Sequence, residues 1–158
     1  MKGRLFVQIM VLLVVALLAG FGCSKKTSPS MTGDELSAAE RELREAADEI
    51  SANRIYFGFD RYDLSNESKS VLNRKAELMK RYPQLQVLIA GNCDERGTEE
   101  YNLALGERRA RAAYDYLVLM GVSSSQLQTV SYGKSHPVDV GHNENAWALN
   151  RRDDFSAN

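Results

Sequence analysis

No surplus of basic residues, no disulfide framework and no long membrane-spanning run stand out in this sequence. Each absence narrows what the chain can do. Its 20 Lys and Arg face 21 Asp and Glu, a net charge of −1, so the electrostatic footprint of a nucleic-acid binder is missing. Of the 2 cysteines, Cys23 follows an apolar run and Cys93 lies in a polar stretch. These contexts differ too much to suggest a disulfide pair. The apolar run, residues 5–19, is broken only by Gln8 and is shorter than the roughly 20 residues that a membrane span needs. There is no internal repeat and no low-complexity tract beyond one short linker. A chain of 158 residues, 44% hydrophobic, has room for one domain and an appendage.

What is present begins with an address. Lys2 and Arg4 precede the apolar run, and Gly20, Phe21, Gly22 and Cys23 close it, the layout of an export signal. The closing residues resemble a bacterial lipobox, although Gly20 stands where that pattern usually has Leu. The resemblance implies a signal peptide over 1–22 and lipidation of Cys23. Ser24 in place of an aspartate implies the outer membrane, with the domain facing the periplasm. Residues 23–33, rich in Ser, Thr and Lys, read as a flexible linker. Over 34–53, Leu36, Ala39, Leu43, Ala46 and Ile50 recur at three- and four-residue steps, an apolar stripe on a charged helix. A solvated spacer and a docked helix both fit that stripe.

From Arg54 onward strands and helices alternate. Strands are predicted near 55–59, 85–90 and 128–132, with helices over 65–82, 99–120 and 143–151. Ser65 is the expected N-cap of the first of these helices, and Gly121 the residue that closes the second. The order β-α-β-α-β-α-β over residues 54–158 predicts one α+β sandwich with helices packed on a small sheet. The last strand is expected to be very short or missing, because 153–158 offers only Phe155 and Ala157 as apolar residues.

The densest polar cluster is Gly91-Asn92-Cys93-Asp94-Glu95-Arg96-Gly97-Thr98, between a buried strand and the longest helix. Leu103, Gly106, Ala110, Ala113 and Leu117 make the predicted core stripe of that helix. Asn102, Leu105 and Arg109 share a second stripe that meets the loop. Asp94 can accept from an ammonium group, and Arg109 can grip a carboxylate with two parallel bonds. Such a pair suits a zwitterionic amino-acid end group. Spacing alone favours the plainer reading, solvated charges on a loop and a helix face.

The stretch 91–110, together with 56–63, 130–137 and Asn150-Arg151-Arg152, closely resembles the OmpA-like peptidoglycan-binding domain family. The whole chain is similar to the peptidoglycan-associated lipoprotein (Pal) family of the Tol–Pal system. The resemblance implies non-covalent binding of the diaminopimelate side chain of the wall peptide, with Asp94 and Arg109 as principal ligand residues. It also implies that Asp60 and Tyr62 line the pocket, that Thr98, Asn102 and Leu105 surround it, and that Arg152 lies at its edge. It implies TolB, and other Tol or OmpA-like envelope proteins, as partners, a role in envelope integrity and cell division, and no cofactor. Asn92 and Cys93 depart from the family's usual residues, and an apolar strand usually follows Arg152.

Two rival classes remain. A cysteine-dependent enzyme would need Cys93 near a base, His136 or His142, but no flanking residues resemble a hydrolase signature. A metal site from the same residues lacks paired close spacing. A lipoprotein that only binds other proteins is the other class. For Cys93 the favoured reading is a small buried hydrophobe without an activated thiolate.

Overall fold

The computed structural model describes residues 33–158. The signal peptide 1–22, the lipidation site Cys23 and all but the last residue of the linker lie outside them. Helix α1 is Gly33–Ala52, followed by β1 Ile55–Tyr56, α2 Asn66–Arg81, β2 Val87–Asn92, α3 Glu99–Leu119, β3 Leu127–Gly133, α4 Glu144–Asn150 and β4 Arg152–Ala157. The sheet order is β1-β4-β2-β3. β2 and β3 run parallel, with α3 as their crossover, and β4 is antiparallel to both β1 and β2. This is the expected α+β sandwich.

The helix ends follow local chemistry. Ser65 caps α2 by accepting from the Ser68 N–H, and Thr98 caps α3 by accepting from the Tyr101 N–H. Beyond α3, Gly121 adopts φ +90°, the left-handed turn that closes a helix at little cost only with glycine. Val87, Ile89 and Phe155 on the sheet meet Leu72, Met79, Ala110, Ala113 and Leu117 of the helices in one core.

Three expectations are revised. β4 is six residues long and interior, pairing Ile89 with Phe155 on one side and Ile55 with Asp153 on the other. A strand hydrogen-bonded on both edges needs few apolar side chains of its own, since the ladder and Phe155 hold it. β1 is shorter than predicted. Phe57 still donates its N–H to the Arg151 carbonyl, but the Gly58 and Arg61 carbonyls turn away to meet Arg109. Leu103 is exposed rather than core-facing, because the start of α3 overhangs β3, an edge strand.

The α1 stripe docks on the domain over its second half. Ala46 and Ile50 are buried and Leu43 half-buried, whereas Ala39 is exposed. Glu49 of α1 accepts two bonds from Arg74 of α2, at 2.7 and 3.0 Å. The last turn of α1 contains no basic residue. Lys75 of α2 supplies the cation that a helix C-terminus favours, donating from Nζ to the Ile50 carbonyl and lying 4.2 Å from the Phe155 ring centroid. Burial brings the Lys75 pKa down to about 8.

Two glycines set how closely α3 approaches the sheet. A Cβ on Gly91 would lie 1.9 Å from the Gly106 carbonyl oxygen, and one on Gly106 would lie 2.3 Å from Ser131 Oγ. Only bare backbone fits at this contact, which lies between the Asp94 loop and the Arg109 turn of α3.

Asp153 is the anomaly of the interior. It is 0% exposed, faces the helices beside Phe155, and neither carboxylate oxygen has a hydrogen-bond partner among the described residues. Burial raises its pKa well above the ordinary carboxylate value, against the opposing charge of Arg109. Below about pH 4, its unfolded value, the proton is held in both states. Above that, the unfolded chain releases the proton while the folded chain keeps it, so stability falls as pH rises toward the folded pKa. Asp153→Val is therefore expected to stabilise the domain by about 1–3 kcal/mol at neutral pH. The gain over the unaltered chain should grow between pH 5 and 8. Urea melts at both pH values measure it, and a gain independent of pH would contradict the raised pKa.

Candidate functional site

The end of β2, the 93–98 loop, the first three turns of α3 and the 57–62 turn surround an open cleft of about 170 Å³. β2 delivers Asp94 by a shift in register between Gly91 and Asn92, after which the Cys93 N–H bonds to the Gly133 carbonyl at 2.8 Å. The α3 stripe then presents Asn102, Leu105 and Arg109 to the loop, all three buried. Asn102 holds the loop in place by donating from Nδ2 to the Arg96 and Thr98 carbonyls at 2.8 and 3.1 Å.

Arg109 is 0% exposed and has no carboxylate within ion-pair distance among the described residues. Carbonyls satisfy it instead. Nε donates to Arg61 at 2.8 Å, Nη1 to Asn92 at 2.8 Å and Nη2 to Gly58 at 3.2 Å. Its guanidinium carbon lies 5.1 Å from the Phe57 ring centroid. Burial lowers its pKa, but a guanidinium stays protonated over any working pH. Among the described residues Nη2 makes a single bond, to Gly58, and Arg109 forms part of the cleft wall.

Asp94 is also buried. It is ion-paired with Arg96 at 2.7 Å and with Arg151 at 3.3 Å. Burial alone would raise its pKa, but the bonds from the Arg96 side chain and N–H and from Arg151 outweigh it and hold the carboxyl below its ordinary range. Asp60 stands at the mouth with φ 56°, a conformation Asp tolerates better than most residues, and accepts from the Tyr101 hydroxyl. The cleft therefore combines two carboxylates with the guanidiniums of Arg96, Arg109 and Arg151. That set can take up a small group carrying both charges.

Residues 56–151 match the OmpA family. The chain belongs to this family and, within it, to the peptidoglycan-associated lipoproteins. It is 42% identical over 143 residues to the peptidoglycan-associated lipoprotein of Mesorhizobium japonicum, covering 88% of this chain and 85% of that one. It is 49% identical over 100 residues to the Haemophilus influenzae protein of the same name, covering 63% and 65%. The crystal structure of the Burkholderia pseudomallei peptidoglycan-associated lipoprotein superposes with a TM-score of 0.69 at 43% identity, covering 73% of this chain and 98% of that one. The C-terminal domain of Helicobacter pylori MotB, at 18% identity and a TM-score of 0.63 over 67% of this chain and 84% of that one, shares the fold alone.

Of the residues singled out in the sequence, Asp60, Asp94, Asn102, Leu105 and Arg109 line the cleft, as does Cys93 beside them. Three do not. Tyr62 is exposed and lies 5.8 Å from the Arg108 guanidinium on the outer side of α3. Thr98 is used as the N-cap. Arg152 points to the opposite side of β4, where it bonds the His136 carbonyl at 3.2 Å and Asp154 at 2.8 Å.

Arg151 takes the place expected for Arg152. Its Nε donates to the Phe57 carbonyl at 3.1 Å and its Nη1 to Asp94 at 3.3 Å. The facing of β4 sets this: Phe155 and Asp153 turn to the core, and Arg151, just before the strand, continues that face. Phe59, Arg96 and Tyr101 also line the cleft, and nothing in their spacing distinguished them from solvated surface.

Cys93 is 4% exposed. Its thiol donates to the Asn102 carbonyl, and it accepts from Arg109 Nη1, both at 3.4 Å. Burial pushes its pKa up to about 11 despite the nearby Arg109. Among the described residues neither histidine is hydrogen-bonded to the thiol. His142 Nδ1 bonds Glu95 at 2.8 Å, and His136 Nδ1 bonds Ser135 Oγ at 2.9 Å. A nucleophilic cysteine is paired with a base, and among the described residues the Cys93 thiol is bonded to the Asn102 carbonyl and to Arg109 instead.

Arg109→Ala is expected to cost about 3 kcal/mol or more in stability, because the carbonyls of Gly58, Arg61 and Asn92 lose their donors together, at roughly 1–3 kcal/mol for each group left unsatisfied. Chemical denaturation measures it. An unchanged midpoint would mean that water replaces the guanidinium.

Proposed function

We propose that this chain binds peptidoglycan non-covalently, seating the diaminopimelate side chain of the stem peptide in the cleft, and ties the outer membrane to the wall through a lipid on Cys23. The observation that carries the reading is the juxtaposition of the buried Asp94 carboxylate and the buried Arg109 guanidinium in one open cleft. The ligand's ammonium goes to Asp94, and its carboxylate to Arg109 and the backbone around it. Relatives that bear the name peptidoglycan-associated lipoprotein support this reading. The chain acts as a binding domain rather than as an enzyme. It works with TolB in a Tol–Pal system that maintains the envelope during growth and division.

Pull-down of the protein with insoluble peptidoglycan, with free diaminopimelate as competitor, tests the cleft. Asp94→Ala leaves the ligand's ammonium and Arg151 without their shared anion. Losing one partner of a desolvated charge contact costs about 2–5 kcal/mol, enough to abolish detectable pull-down. Digested wall fragments should come through unchanged in mass. Wild-type retention by Asp94→Ala would remove the cleft from the reading.

The anchor is tested separately. Cys23→Ala is expected to move the protein from the membrane fraction to the soluble fraction. If it remains membrane-bound after signal removal, the anchor is something other than the lipid.

A further inference from the structure

Asp94 has no vacant place for an incoming ammonium. A carboxylate has about four lone-pair sites, and the chain fills them itself. Oδ1 accepts from the Arg96 backbone N–H at 3.1 Å and from Arg96 Nε at 3.0 Å. Oδ2 accepts from Arg96 Nη2 at 2.7 Å and from Arg151 Nη1 at 3.3 Å.

The two arginines are not held equally. The Arg151 side chain is 7% exposed, and its remaining nitrogens are committed to the Phe57 carbonyl and, at 2.7 Å, to Glu144. The Arg96 side chain is 31% exposed, and its other carboxylate, Glu144, is 3.8 Å away. Its guanidinium carbon lies 4.0 Å from the Phe59 ring and 4.1 Å from the Trp147 ring. It is a planar cation between two aromatic rings at the rim of the cleft, gripping the buried carboxylate with two parallel bonds.

We infer that Arg96 is an internal stand-in for the cationic end of the ligand. Its guanidinium fills the cation seat of Asp94 in the free protein, and the ligand's ammonium takes that seat by displacing it. The inference rests on the wall-binding reading above. Arg96 gives up two charge-assisted bonds, which the ammonium replaces, and its guanidinium already meets water at the rim. Arg151 and the Arg96 N–H stay, and hold the carboxylate oriented for the newcomer. The exchange makes the site selective. A ligand without a cationic end has nothing to offer Asp94 and leaves Arg96 in place. It also lowers affinity, since the apparent constant is scaled by the fraction of molecules with the seat empty.

The test uses the full lipidated chain in detergent, ¹⁵N-labelled, titrated with meso-diaminopimelate and with pimelate, which keeps both carboxylates and lacks both ammonium groups. The Arg96 Nε–H resonance is expected to shift on saturation with diaminopimelate and to stay unmoved by pimelate. Arg96→Ala removes the resident cation and keeps the backbone N–H that orients Asp94. It is expected to tighten diaminopimelate about tenfold, as removal of a dominant closed population does. An Arg96 Nε–H that does not move at saturation, or weaker diaminopimelate binding by Arg96→Ala, overturns the inference while leaving the wall-binding reading intact. Failure of the unaltered chain to bind diaminopimelate at all overturns both.

Discussion

The rest of the site depends on one buried charge satisfied without a counter-charge. Arg109 is enclosed by the carbonyls of Gly58, Arg61 and Asn92, which belong to the turn after β1 and the end of β2. A buried ion is costly unless its hydrogen-bonding capacity is filled, and removing its partners is costlier still. The guanidinium therefore dictates where those backbone segments lie. It takes the 58–61 backbone out of the sheet, which shortens β1 and places Asp60 at the mouth of the cleft. It can reach Asn92 only because Gly91 and Gly106 bring α3 against the sheet with backbone alone.

The same charge affects its neighbours in opposite ways. Cys93 and Asp153 both lie in its field, and in both the cost of burial exceeds the help that field gives. Asp94 ionises readily, because Arg96 and Arg151 donate to it directly. Direct hydrogen bonds thus outweigh burial where geometry allows them, and burial wins where it does not. The contrast separates the carboxylate that faces the cleft from the one sealed beneath it. Asp153 lowers stability in a strand that the ladder on both sides keeps in place.

Much of this was legible from residue types. Ser65 and Gly121 announced helix ends, because caps are local chemistry between residues three or four apart. The Asn102, Leu105, Arg109 stripe was legible from helical periodicity, and it meets the loop as expected. Other features were not. Arg151 and Arg152 are adjacent, and only the facing of β4 decides which of them enters the cleft. Tyr62 and Thr98 are close to the site along the chain, but one belongs to the outer surface and the other to the α3 cap. β4 looked too polar for a strand because its stability comes from pairing with β1 and β2, which a local reading does not contain.

By itself the sequence determined the alternation of elements, the helix boundaries and the presence of an acid and an arginine at helical reach of one loop. Those are properties of short-range spacing, and neighbouring residues suffice to specify them. The tertiary structure alone decided that Arg109 bonds carbonyls rather than carboxylates, that Asp153 is sealed without a hydrogen-bond partner among the described residues, and that Arg96 pairs with Asp94 between Phe59 and Trp147. Each of these joins residues from separate elements, and burial and hydrogen-bond geometry in three dimensions, not order along the chain, set which group meets which.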